Sequence, residues 1–280
     1  MNRKQLLCIT AVSCLFLSGC GDSNVFSSLS DDSTESAKVE QGLDALNSGN
    51  YTQAITTFEA AYAKNPSNPE LAKYLASAYV GNTGFDVLDL VNRLSEEDES
   101  GSSDDDDALE TIGDLYGYDE SGNVPELANK LSLLNQAVNL LAPGGVALEG
   151  MEFQAGLYST LQANLLISEI LGGRNIDTID GGHGTNALSD SEIEALIAEN
   201  FDTASASAAP GDTAPASKGA LLQGALSLVN STKDVLLSEF SSDEENNDLG
   251  EDMDEFLQEL GFGDGSLSSE DLAIYLKDNN

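Results

Sequence analysis

Thiol, imidazole and carboxylate are the side chains in this sequence that could do chemistry, and their distribution narrows what that chemistry is. The thiols are Cys8, Cys14 and Cys20. Cys8 and Cys14 lie in an apolar run, Leu6 to Leu17, broken only by Thr10 and Ser13 and preceded by Arg3 and Lys4. Cys20 follows Leu17-Ser18-Gly19, where the small Ser18 and Gly19 suit an enzyme which must admit extended backbone to work beside the Cys20 thiol. The imidazole is His183, the one histidine, in Asp180-Gly181-Gly182-His183-Gly184. Catalysis by His183 needs a nucleophile or base partner, and metal binding needs further soft ligands. Neither set is identifiable, and a histidine in a glycine-rich loop reads as a plain turn residue.

Carboxylates are everywhere. Asp and Glu number 49 against 11 Lys and Arg, a net charge of −38. That abundance makes any chosen pair of acids uninformative as a general acid and base. No phosphate-cradling loop is present, because Gly172-Gly173-Arg174 and Gly181-Gly182 lack a following Lys-Ser/Thr. Calcium is the ligand that acids would suit best. Asp264-Gly265-Ser266-Leu267-Ser268-Ser269-Glu270-Asp271 resembles the second half of an EF-hand loop, which makes Asp264 and Asp271 candidate ligands. Aligning Gly265 with the loop glycine puts Leu260 and Phe262 where the first two carboxylates belong. Asp177 and Asp180, ahead of Ser189-Asp190-Ser191-Glu192, form a looser version with the wrong spacing. A helix N-cap box, Ser268 with Asp271, explains the C-terminal stretch without metal.

The elements that position these groups begin at the N-terminus. A basic start, a short apolar run and small residues before Cys20 make a secretory signal peptide over residues 1–19. The run is shorter than the roughly 20 apolar residues a membrane-spanning helix needs. Leu17-Ser18-Gly19-Cys20 resembles the lipobox of bacterial lipoproteins. The resemblance implies a diacylglyceryl group on Cys20, cleavage after Gly19 and an outer-membrane destination, since Gly21 rather than Asp follows the cysteine. Cys8 and Cys14 would leave with the leader, so the mature chain would hold no thiol for a disulfide, a zinc site or nucleophilic catalysis. Loss of Arg3 and Lys4 would carry the net charge from −38 to −40. Such a chain repels nucleic acid and anionic headgroups. Its acidity also suits solubility in salty surroundings.

Residues 20–35, rich in Ser and Asp, read as a flexible tether. Residues 36–95 carry the most informative spacing. Tyr51, Ala54, Ile55, Phe58, Ala61 and Tyr62 fall on one helical face, opposite Val39, Gly42, Leu43 and Leu46 of a partner helix. Gly42, Ala54 and Ala61 are small, Phe58 is bulky, and Pro66 closes the unit. This pattern is similar to the tetratricopeptide repeat. Gly42 to Ala54 is twelve residues, Ala54 to Phe58 four, Phe58 to Ala61 three and Ala61 to Pro66 five, and all four offsets match that family. Lys38, Gln41 and Ala45 stand where the family prefers large apolar residues, which fits a first repeat with a solvent-facing outer side. A second unit opens at Asn68 as N-cap and Pro69, with Leu75, Ala76 and Tyr79 in register. Its second helix, Phe85 to Leu94, departs from the pattern.

Residues 96–122 read as an acidic loop, including Asp104 to Asp107, and a short helix through Tyr116. Residues 123–201 read as a helical hairpin region. Asn123-Val124-Pro125 opens a helix striped by Leu127, Leu131, Leu134, Val138 and Leu141. Pro143-Gly144-Gly145 breaks it, and Phe153, Leu157, Leu161 and Leu165 stripe the next helix. Ser189 caps a helix with Ile193, Leu196 and Ile197. Residues 202–218 read as a flexible linker. Residues 219–280 read as C-terminal helices, the first striped by Leu221, Ala225, Leu228, Val235 and Leu236, the others near 249–260 and 268–277.

The expected fold is therefore all-α, a tetratricopeptide-like array at the N-terminus continued by further antiparallel helices. No enzymatic activity and no cofactor are expected. The resemblances together imply a lipid-anchored, periplasm-facing scaffold whose helical groove takes up a protein or peptide. A calcium-binding acidic envelope protein is the alternative. Some members of the repeat family clamp a C-terminal carboxylate with basic residues. Here Val39 and Leu43 occupy two of those positions and only Lys73 is basic in the second unit, so that clamp is not expected. A partner with a basic patch is expected instead, and nucleic acid is not.

Overall fold

The computed structural model describes residues 35–85, 116–179, 187–205, 216–240, 257–258, 260–262 and 265–278. Among them the chain is all-α. The helices are α1 (Glu35–Asn47), α2 (Tyr51–Tyr62), α3 (Pro69–Gly81), α4 (Leu127–Leu141), α5 (Glu152–Ile170), α6 (Asp190–Asn200), α7 (Lys218–Phe240) and α8 (Ser269–Asp278), with a 3-10 turn at Ile176–Thr178. Extended pairing among the described residues is limited to two isolated bridges, Asn123 with Arg174 and Ala204 with Ser217.

Neighbouring helices pack in chain order from α1 to α5, and α7 returns to lie along α5. One continuous apolar core runs through them, from Ala45 in α1 to Leu276 in α8. The centre of that core is α5. Leu161, Leu165, Leu166, Ile167 and Ile170 are fully buried there, and so are Ser159, Asn164 and Ser168. The stripe over Phe153, Leu157, Leu161 and Leu165 is therefore only one side of a helix covered on nearly all sides. The helix takes up some of these polar groups itself, although the buried Ser168 Oγ has no hydrogen-bond partner among the described residues. Ser159 Oγ donates to the Ala155 carbonyl at 2.7 Å. Across the α4–α5 contact, Gln162 Nε2 donates to Asn135 Oδ1 at 3.4 Å.

Several local expectations shift. Asn123 does not open α4. It pairs with Arg174, and Val124 N–H donates to the Gly173 carbonyl at 2.9 Å, so the segment before α4 is tied to the turn after α5. The residue preceding α4 is Glu126, in the left-handed region at φ 54°. Pro66 sits exposed in the turn between α2, which stops at Tyr62, and α3. Ala45, expected on a solvent-facing side, is buried, since the turn into α2 folds over it and Asn50 N–H donates to its carbonyl at 2.8 Å. In α7 the buried face is Leu222, Ala225, Leu226, Leu228 and Val229, with Leu221 only half-buried.

At the two described ends of the stretch expected as a linker, residues 203–205 and 216–218 are tied to each other. Ser205 N–H donates to the Ala216 carbonyl at 3.2 Å and Lys218 N–H to the Thr203 carbonyl at 2.9 Å. Phe201 lies against Gly219 so closely that any side chain at Gly219 would clash with its ring. Lys218 Nζ reaches Asn200 Oδ1 at 3.3 Å, and Ser205 Oγ donates to Glu169 at 2.7 Å. These contacts join α6, α7 and the end of α5.

Candidate functional site

The residues singled out by spacing meet in the first three helices. Ala54, Phe58 and Ala61 form the buried face of α2. Phe58 projects onto Gly42 of α1, where an added Cβ would lie 2.7 Å from the ring, so only glycine lets the two backbones approach this closely. The other edge of Phe58 meets Tyr74 of α3, with ring centroids 5.6 Å apart. Tyr51, at the start of α2, lies over Gly81 at the end of α3 in the same manner. Two aromatic–glycine contacts thus bind α1 to α2 and α2 to α3. Asn68 caps α3, its side chain accepting from Glu70 N–H at 3.0 Å and Leu71 N–H at 3.4 Å. Leu75 is buried in α3, and Tyr79 donates its hydroxyl to Glu59 at 2.7 Å. Burial, and then the Glu59 carboxylate, push the Tyr79 hydroxyl well above its ordinary value, so it stays a proton donor. Ser77 and Tyr158 share a hydrogen bond at 3.3 Å that carries the connection on to α5.

The calcium candidates separate. Asp264 lies outside the described residues, as do His183, Cys20, Asp180 and the acidic run Asp104 to Asp107. Asp271 caps α8: Ser268 N–H donates to Asp271 Oδ2 at 2.9 Å, and Asp271 N–H donates to Ser268 Oγ at 3.1 Å. Gly261 fits against it, since an added Cβ would stand 2.6 Å from Asp271 Cβ. Leu260 and Phe262, at the missing ligand positions, are buried apolar side chains. Glu192 has the same capping role in α6, where Ser189 Oγ donates to it at 2.6 Å and Ser189 N–H at 2.9 Å. These bonds hold the Glu192 carboxyl below its ordinary value. Among the described residues no group of three or more His, Cys, Asp or Glu side chains gathers for a metal ion.

One feature of the surface has no counterpart in the sequence reading. A shallow cleft of about 260 Å³ lies between α6 and α8, with Ser269 and Lys277 towards its two ends. Lys277 Nζ contacts Glu194 Oε1 at 2.7 Å. That hydrogen bond, followed by the charges of Glu194, Asp190 and Asp278, holds the Lys277 ammonium above its ordinary value. Ile274 is 47% exposed at the cleft although it belongs to a helix whose Leu272, Ala273, Tyr275 and Leu276 are buried. The signal that could have found it is this one aliphatic residue outside the buried stripe of α8.

Comparison with family profiles, with curated proteins and with solved structures finds no match to the chain. Among the described residues no helix is long and apolar enough to cross a membrane.

Proposed function

We propose that this chain is a lipid-anchored envelope protein whose helices form a scaffold for a partner protein. The observation that carries the reading is the pair of aromatic–glycine contacts, Phe58 on Gly42 and Tyr51 on Gly81. They stack successive helices by small-residue close approach, the packing on which tetratricopeptide-type repeats depend. Surfaces built in this way bind through helix faces and grooves rather than through a reacting group. Cys20, with Leu17-Ser18-Gly19 before it, supplies the anchor by its likeness to a lipobox. The large excess of acid over base sets a field that favours basic partners and disfavours nucleic acid.

The test is expression of the full chain and of Cys20→Ala in a bacterial host, followed by fractionation and mass analysis. Wild type should be recovered with the membrane and carry acyl mass on Cys20. Cys20→Ala should lose both properties. An unmodified Cys20 in membrane-bound wild type would overturn the anchor.

A further inference from the structure

We propose that the cleft between α6 and α8 docks a basic amphipathic helix of a partner protein, an inference that rests on the scaffold reading above. The cleft joins two features that point to such an occupant. Its floor is aliphatic, formed by Ile197 and Ala198 of α6 with Ala273 and Ile274 of α8. Its rim is acidic, with Glu194 and Glu270 lining it and Asp190 and Asp278 close enough to act on Lys277. Lys277 is the cation among these carboxylates, and its side chain is committed to Glu194 at 2.7 Å.

The dimensions suit a helix. From Ser269 to Lys277 the cleft follows α8 for about 12 Å, at roughly 1.5 Å per residue, which is about two turns. A volume of about 260 Å³ is smaller than the roughly 300–1,000 Å³ usual for small-molecule sites. It holds one or two aliphatic side chains from the face of a helix laid along the groove. Charge selects the partner. A helix with Leu or Ile on one face and Arg or Lys flanking them would bury Ile274 and meet Glu194 and Glu270. Arginine there replaces Lys277 at Glu194 with a planar fork that can bond both carboxylate oxygens, which a lysine ammonium cannot do. An anionic membrane surface or a nucleic acid meets the wrong sign.

The test uses the full chain and a labelled helical peptide of leucine, alanine and arginine, with a glutamate-for-arginine counterpart as control. Binding is followed by anisotropy, and the footprint by hydrogen exchange. The arginine peptide should bind and protect α6 and α8, and the glutamate peptide should not bind. Ile274→Ser should weaken binding by roughly tenfold, as for loss of a central apolar anchor. Lys277→Gln should tighten it by about threefold, because Glu194 is released to the peptide, whereas a purely structural ion pair would give no gain. Circular dichroism checks that both variants remain folded. Binding equal in wild type and Ile274→Ser overturns the assignment, as non-specific attraction to an acidic chain. So does self-association lost on Ile274→Ser, which would make the occupant a second copy. Protection confined to α1–α3 overturns this cleft and leaves the scaffold reading standing. No binding to the arginine peptide overturns the cleft, whereas the scaffold reading itself fails only if the full chain cross-links to no protein in a bacterial host.

Discussion

The N-terminal helices and the central helix α5 bury their cores by different means. In α1 and α2 each helix gives up a narrow face and α3 a broader one between its two neighbours, and the close contacts depend on single glycines, Gly42 under Phe58 and Gly81 under Tyr51. In α5 nearly every side is covered, and the helix hides Ser159, Gln162, Asn164 and Ser168 along with its leucines. The first arrangement is a set of discrete interlocks that a sequence can announce by spacing. The second is a buried rod whose hydropathy pattern understates its burial. Stability in the first region should therefore concentrate at a few positions, and in the second it should be spread out.

Truncation of the largest knobs gives the largest expected effect. Phe58→Ala should cost about 3–5 kcal/mol and Leu161→Ala about 2–5 kcal/mol. Denaturant melts followed by circular dichroism and by tyrosine fluorescence would measure both. If the core from Ala45 to Leu276 unfolds as one unit, the two variants should each show a single coincident transition at lower denaturant. Separate transitions would divide the two regions instead.

The glycine contacts sharpen the comparison. Gly42→Ala places a Cβ 2.7 Å from a fully buried ring that has no room to move, so it should cost about 1–3 kcal/mol. Gly81→Ala meets Tyr51, whose ring is only half-buried and can swing outward. Its cost should be smaller, at or below about 1 kcal/mol. Equal penalties would mean that Tyr51 is held as firmly as Phe58.

Much of α1–α3 was legible because Gly42, Ala54, Phe58 and Ala61 are local in sequence and differ sharply in size. The rest was hidden by non-local or self-contained bonding. Asn123 before Pro125 reads as a helix start, yet its backbone is claimed by Arg174, far along the chain. Ser159 lies outside the Phe153, Leu157, Leu161 and Leu165 stripe and is nonetheless buried, its hydroxyl satisfied by the carbonyl one turn back. Phe201 and Gly219 flank an Ala-, Ser- and Pro-rich stretch that reads as a linker, and only the fold shows that they touch. The α6–α8 cleft was not readable, because Ile274 gains its meaning from its position beside α6.

The smallest expected effects lie at the caps. Ser189→Ala and Ser268→Ala should each cost about 1 kcal/mol in thermal melts. The pH dependence of the first has a definite sign. Glu192 is held below its ordinary value of 4.5 in the folded chain, chiefly by the Ser189 hydroxyl and then by Ser189 N–H. Its contribution is full above that ordinary value and is lost as pH falls through the lowered one. The penalty of Ser189→Ala should accordingly shrink on acidification below about pH 4, where the carboxyl becomes protonated in either variant. A penalty that grew in acid would reverse the assignment of the cap.

The central claim is that the helical surfaces hold a partner protein, and residue-resolved cross-linking of the full chain expressed in a bacterial host tests it most directly. The expected result is a defined protein partner, joined through a basic segment at positions on α1–α3 or α6–α8 and lost in Phe58→Ala. The contradicting result is a chain that cross-links to no protein, or only to acidic ones, with the same pattern in wild type and Phe58→Ala.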